Sequence, residues 1–180
     1  MDCKTTSIKI RSAGANLVEM MVATGVLSLV FIAIASISYF SGRSFAAMAN
    51  YVDLDYNSRK ALDRMSKEIR QVNYLMEASD NWLVFKDSDG GTLVYYYAPG
   101  SKKLMRVKSG KSETLLQECD YLKFSIFQRN PVGGTYNQYP TAVPANCKLV
   151  QLNWTCSRQI FGKKANTESV QSAKIVIRKE

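Results

Sequence analysis

The chain has 180 residues, 46% of them hydrophobic, and carries a net charge of +9 from 24 Lys and Arg against 15 Asp and Glu, a size that suits one ordinary domain plus an anchoring segment. It contains no histidine, which excludes Ser-His-Asp and Cys-His catalysis, HExxH zinc sites and histidine-bearing metal clusters. Its four cysteines, Cys3, Cys119, Cys147 and Cys156, have no CxxC spacing, and its bases are scattered, as on a solvated basic surface.

At the N-terminal end, Lys4, Lys9 and Arg11 precede a small-residue step, Ser12-Ala13-Gly14. From Ala15 to Gly42 the only charged residue is Glu19. A lone charge in hydrocarbon costs roughly 2.5–3.5 kcal/mol on insertion scales, so this carboxylate asks for a reason. Residues 20–41 are long enough to span an apolar core of about 30 Å at about 1.5 Å per residue. A secretory signal peptide has a shorter apolar core followed by its small-residue cleavage site; here the apolar run is longer and Ala13-Gly14 precedes it. A plain anchor accounts for the length but leaves Glu19 and the Gly14-Ala15 step unexplained.

The helical pattern continues beyond Arg43. Met48, Leu62, Met65, Ile69, Val72 and Met76 fall at helical spacings, and Asp55/Arg59, Asp63/Lys67 and Arg64/Glu68 are opposite charges four apart. No Gly or Pro interrupts residues 43–76. The reading is one helix of roughly 60 residues, about 90 Å long at helical rise, with an amphipathic continuation over residues 43–78.

Residues 79–180 change to short alternating apolar runs separated by turns. Trp82-Leu83-Val84-Phe85 and Thr92-Leu93-Val94-Tyr95-Tyr96-Tyr97 flank the turn Asp87-Ser88-Asp89-Gly90-Gly91. Residues 104–107, 113–116, 121–127 and 149–155 read as further strands, 129–146 as a long loop with three prolines, and 157–172 as a polar stretch before a last strand over 173–178. The fold class is therefore α+β: a long N-terminal membrane-spanning helix whose C-terminal half packs on an antiparallel β-sheet head.

Gly14-Ala15-Asn16-Leu17-Val18-Glu19 followed by a long apolar helix resembles the cleavage and methylation motif of the type IV pilin and type II secretion pseudopilin superfamily. The resemblance implies a cytoplasmic leader over 1–14, cleavage by a prepilin peptidase between Gly14 and Ala15, and N-methylation of Ala15. It also implies a transmembrane and assembly helix over 15–42, with Glu19 as the acid at mature position five. Ala15 stands where the family usually has Phe and Asn16 where it has Thr, and the apolar helix has no proline. The basic leader agrees with the positive-inside rule. In a stack of subunits, Glu19 of one chain would pair with the new amine of another and offset the desolvation of both. The order of later elements, with Leu62-Asp63-Arg64 running to Ile69-Arg70, is similar to minor J-type pseudopilins and W-type minor pilins, a less specific likeness. It implies a non-enzymatic subunit at or near the tip of a type II secretion pseudopilus or type IV pilus that helps start its assembly. The expected partners are other pilins through the N-terminal helix, the peptidase and an inner-membrane assembly platform. The expected location is the bacterial cytoplasmic membrane, single-pass, with the head outside. The alternative is a membrane-anchored adhesin, binding or DNA-uptake module that never polymerises.

Three other features bear on chemistry. Asp87-x-Asp89-Gly90 is a fragment of a calcium loop without the later acid, and a hairpin turn explains the same residues; no metal or cofactor is expected. Cys119 opens one predicted strand and Cys156 closes a later one, so the two would face each other if those strands are antiparallel neighbours, which makes them the candidate disulfide. Tyr95, Tyr96, Tyr97, Tyr136 and Tyr139 near lysines could stack on single-stranded nucleic acid, but aromatics in alternating strands serve core and sheet surface, and no nucleic-acid partner is expected.

Overall fold

The structure, a computed structural model, describes residues 16–129, 137–160 and 162–178. Helix α1 spans Leu17–Gln71. Nine strands follow: β1 Tyr74–Ala78, β2 Trp82–Lys86, β3 Thr92–Ala98, β4 Lys103–Lys108, β5 Lys111–Leu116, β6 Cys119–Arg129, β7 Gln138–Pro140, β8 Leu149–Ile160 and β9 Lys163–Val176. A short 3-10 turn, Pro144–Asn146, sits between β7 and β8. All pairings are antiparallel, and the strands form two sheets ordered β1-β2-β3-β4-β5 and β7-β6-β8-β9. The α+β architecture expected from the sequence is the one observed, with two sheets in place of one. By contacts the chain divides into two compact units, residues 1–44 and 45–180.

In the second unit the core face of α1 is Leu54, Ser58, Ala61, Met65 and Ile69, spaced by three and four so that they share one face. They join inward-facing residues of both sheets, among them Phe85, Leu93, Tyr95, Leu104, Phe124, Leu152, Trp154 and Ile175, in one buried cluster. Burial alternates along β3 from Thr92 to Ala98, as a strand with one covered face requires. Two charged clusters tie the helix to the sheets. Arg106 makes two 2.8 Å hydrogen bonds to Glu68, which also accepts the Tyr95 hydroxyl. Arg158 reaches Glu118 at 2.7 Å and Asp53 at 3.1 Å.

The helix ends at Gln71, short of the 78 expected, and Tyr74–Ala78 is strand β1. Asn73 donates its backbone N–H to the Lys86 carbonyl and its side-chain amide to the Asp87 carbonyl. Both bonds draw the chain into register with β2, where Tyr74 faces Lys86. Met76, which continues the helical spacing, lies in an irregularity of that pairing and is 45% exposed. The polar stretch 157–172, placed by sequence before the last strand, belongs to the long β8–β9 hairpin, with Cys156 paired to Ser169 and Ser157 to Glu168. Gly162 turns it at a φ of 75° that only glycine adopts freely. Ser109 and Gly110, at φ 51° and 75°, make the tight β4–β5 turn, the two left-handed residues that a two-residue hairpin of this twist needs.

Candidate functional site

Of the residues flagged by sequence, Glu19 falls in the first unit. Gly14 and Ala15, the expected cleavage and methylation site, lie outside the described residues. Glu19 is in the first turn of α1, where the helix dipole favours an anion, and it is exposed. Every large apolar residue from Leu17 to Phe40 keeps between 48% and 75% of its surface exposed, an arrangement that water does not tolerate over such a length without another apolar phase. Three hydroxyls in this stretch bond back within the helix: Thr24 donates to Met20 O at 2.9 Å, Ser28 to Gly25 O at 2.7 Å and Ser36 to Ile32 O at 2.8 Å. With its helical backbone bonded internally and these three hydroxyls paired, the segment meets the main requirement for immersion in lipid. By length and composition α1 is the one described helix able to cross a membrane. Glu19 is its exception: among the described residues no ion pair includes it.

A second exposed apolar feature lies on α1 within the second unit. Phe45, Met48, Ala49, Val52 and Tyr56, with Asp53, line a shallow depression of about 590 Å³. At about 100° per residue, this face is roughly opposite the buried face of Leu54, Ala61 and Met65. Met48, expected as a core residue, belongs here and is 67% exposed. The spacing of 45, 48, 49, 52 and 56 was readable in the sequence, but the two apolar faces blur into one there.

The remaining candidates resolve into structural roles. Gly90 N–H donates to Asp87 O, and Asp87 N–H donates to Gly91 O. The Asp87 carboxylate pairs with Lys108 and accepts the Ser88 N–H at 2.9 Å, so it is already occupied as part of a hairpin turn. Its carboxyl is held low, first by Lys108, against the upward push of burial. Among the described residues no group of three or more acids and cysteines is placed to hold a metal ion. Tyr95 and Tyr97 are buried, and Tyr97 donates its hydroxyl to Cys119 O. Only Tyr96 and Tyr139 of the described tyrosines in that set are exposed; Tyr136 lies outside the described residues. Cys119 and Cys156 are register partners across β6 and β8, and both are buried free thiols; Cys156 lies inside β8, which runs on to Ile160.

The Glu68 cluster was invisible at the level of sequence as a unit. Burial raises the Glu68 carboxyl, but hydrogen bonds from Arg106 and Tyr95 outweigh it and leave the group below the usual carboxylate range. Tyr95 is pushed far up, first by burial and then by Glu68. The cluster fixes helix against sheet and offers no open reacting atom.

Comparison of the chain with protein-family models, with curated proteins and with solved structures found no match.

Proposed function

We propose that the chain is a minor pilin or pseudopilin: a non-enzymatic subunit cut between Gly14 and Ala15 by a prepilin peptidase and assembled through its N-terminal helix. The observation that carries this reading is Glu19, the single charge between residues 16 and 42 on a helix whose apolar side chains are exposed all round. The motif Gly14-Ala15-x-x-x-Glu19 supports it, because cleavage there would place a cationic amine in the same layer as the acid. Pairing between chains offsets the desolvation that neither charge bears well alone, so assembly is favoured over the dispersed state. The exposed face at Phe45, Met48, Val52 and Tyr56 supports it further, since it gives a neighbouring helix apolar surface beyond the span. On this reading the chain sits in the bacterial cytoplasmic membrane with its head outside, and its partners are other pilin-like chains, the peptidase and an assembly platform in that membrane.

The test is expression in cells with an active prepilin peptidase, followed by mass analysis of the N-terminus and in-membrane crosslinking. The expected product begins at N-methylated Ala15, and Gly14→Val blocks its formation. Glu19→Leu is expected to leave the head folded and to lose crosslinks to pilin-like chains. A mature N-terminus elsewhere, or undiminished crosslinking of Glu19→Leu, overturns the proposal in favour of a plain anchored module.

A further inference from the structure

Cys119 and Cys156 stand opposite each other where β6 and β8 pair. The register shifts between Cys119 and Tyr121, and next to it the Cys119 N–H goes to Lys102 O at 2.9 Å and the Ser157 N–H to Glu118 O at 3.1 Å. Opposite residues of an antiparallel pair have Cα atoms about 4.5 or about 5.5 Å apart according to the pair type, both inside the roughly 4.4–6.8 Å range of disulfides. The Cys119 sulfur donates to Tyr121 O at 3.2 Å.

The pair is also asymmetric. Cys156 lines a cleft of about 350 Å³ between α1 and the β5–β6 connection, beside Leu54, Ser58 and Glu118. Ser58 is a fully buried serine in the helix; it accepts the Trp154 indole N–H at 3.4 Å and lines the same cleft as Cys156. Hydrogen bonds from Cys119 and then Ser58 hold the Cys156 thiol below its ordinary value, while the same contact with Cys156, together with burial, holds Cys119 high. Cys147 has no such setting. Its sulfur donates to Leu149 O, and burial pushes its thiol up to about 11.

We propose that Cys119 and Cys156 are an oxidisable dithiol that closes to a disulfide by exchange with an external disulfide, Cys156 attacking first from the cleft and Cys119 resolving. In the first step the Cys156 thiolate, its proton given to solvent, bonds to one sulfur of the external disulfide and expels the other as a thiolate. In the second, Cys119 loses its proton, bonds to the Cys156 sulfur and expels the second external thiolate. Two electrons pass from the protein thiols to the external disulfide, and two external thiols leave. The chemistry is independent of the membrane reading, which bears only on whether an oxidant is at hand.

The full-length chain, purified in detergent under reduction, would be exposed to oxidised glutathione, then denatured, alkylated and mapped by mass spectrometry. The expected result is loss of two of the four alkylatable cysteines and a proteolytic fragment joining Cys119 to Cys156 that dithiothreitol abolishes. Cys119→Ser is expected to trap glutathione on Cys156, and Cys156→Ser to leave Cys119 without it. Full alkylation of both residues in the unsubstituted protein, a bridge to Cys147, or the reverse pattern in the two variants overturns the proposal. The map of the unsubstituted protein stands by itself if either variant fails to fold.

Discussion

Glu68→Gln isolates what holds helix to sheet in the head. The substitution keeps the side chain's shape and removes the charge that Arg106 meets with two 2.8 Å bonds. The Arg106 side chain is 10% exposed and that of Glu68 16%, so water can compensate only in part. In the variant, the nearest remaining acid to Arg106 is Glu113 at 3.8 Å. Hydrogen bonds to charged groups contribute about 1.5–3 kcal/mol each. Breaking a fully buried ion pair costs about 3–5 kcal/mol because one charge is stranded. The partial exposure here places the expected loss at about 2–4 kcal/mol. Urea unfolding of the full chain in detergent, followed by fluorescence of the buried Trp154, measures it. The pH dependence carries a sign. The folded-state Glu68 carboxyl is depressed, so its contribution is present above the ordinary glutamate value near 4.3 and is lost as pH falls through the folded value. The gap between the two proteins should therefore narrow in acid. Pairing Glu68→Leu with Arg106→Met should recover much of the loss, as apolar replacement of both partners does. A loss below about 0.5 kcal/mol, the range of ordinary surface changes, or a gap that widens in acid, would refute the reasoning.

Two further substitutions separate the faces of α1. Met65→Ala empties a fully buried site and should cost about 2–5 kcal/mol in the same unfolding assay. Val52→Asp lies on the opposite, exposed face, 55% exposed; it should change stability by less than about 0.5 kcal/mol while reducing crosslinks to neighbouring pilin-like chains, and a large stability loss with intact crosslinks would place Val52 in the core instead.

Local signals carried the sequence reading where neighbours in the chain decide the structure. The β2–β3 hairpin follows from Asp-Ser-Asp-Gly-Gly between alternating apolar runs, and Met65, Ile69 and Val72 are buried as their spacing predicts. It failed where distant backbone decides. Nothing between Val72 and Met76 breaks a helix locally; the Asn73 N–H bond to Lys86 O is what commits the segment to β1. The β8–β9 extension reads only as a polar stretch before the last strand, yet ladder pairing between β8 and β9 holds it as strand. Ser58 was passed over because a serine looks like surface, although it is fully buried and partnered by Trp154 in the core. Glu19 was legible because its signal is the absence of other charge around it. Glu68 was not, because Tyr95 and Arg106 lie 27 and 38 residues away in sequence.

These two glutamates bring the stability argument and the functional one together. Both sit on α1, Glu19 in an otherwise uncharged run and Glu68 among other charges. Glu68 has its cations and a phenol inside the same chain, so its charge is satisfied by folding alone. Glu19 has no ion-pair partner among the described residues, and folding leaves it exposed among side chains that favour lipid over water. A carboxylate so placed gains most from a cation delivered by another molecule at the same depth. On the proposed reading, that cation is the amine at Ala15 of a neighbouring subunit. The two acids then divide the work along one helix: one is spent on holding the head together, and the other is kept for assembly.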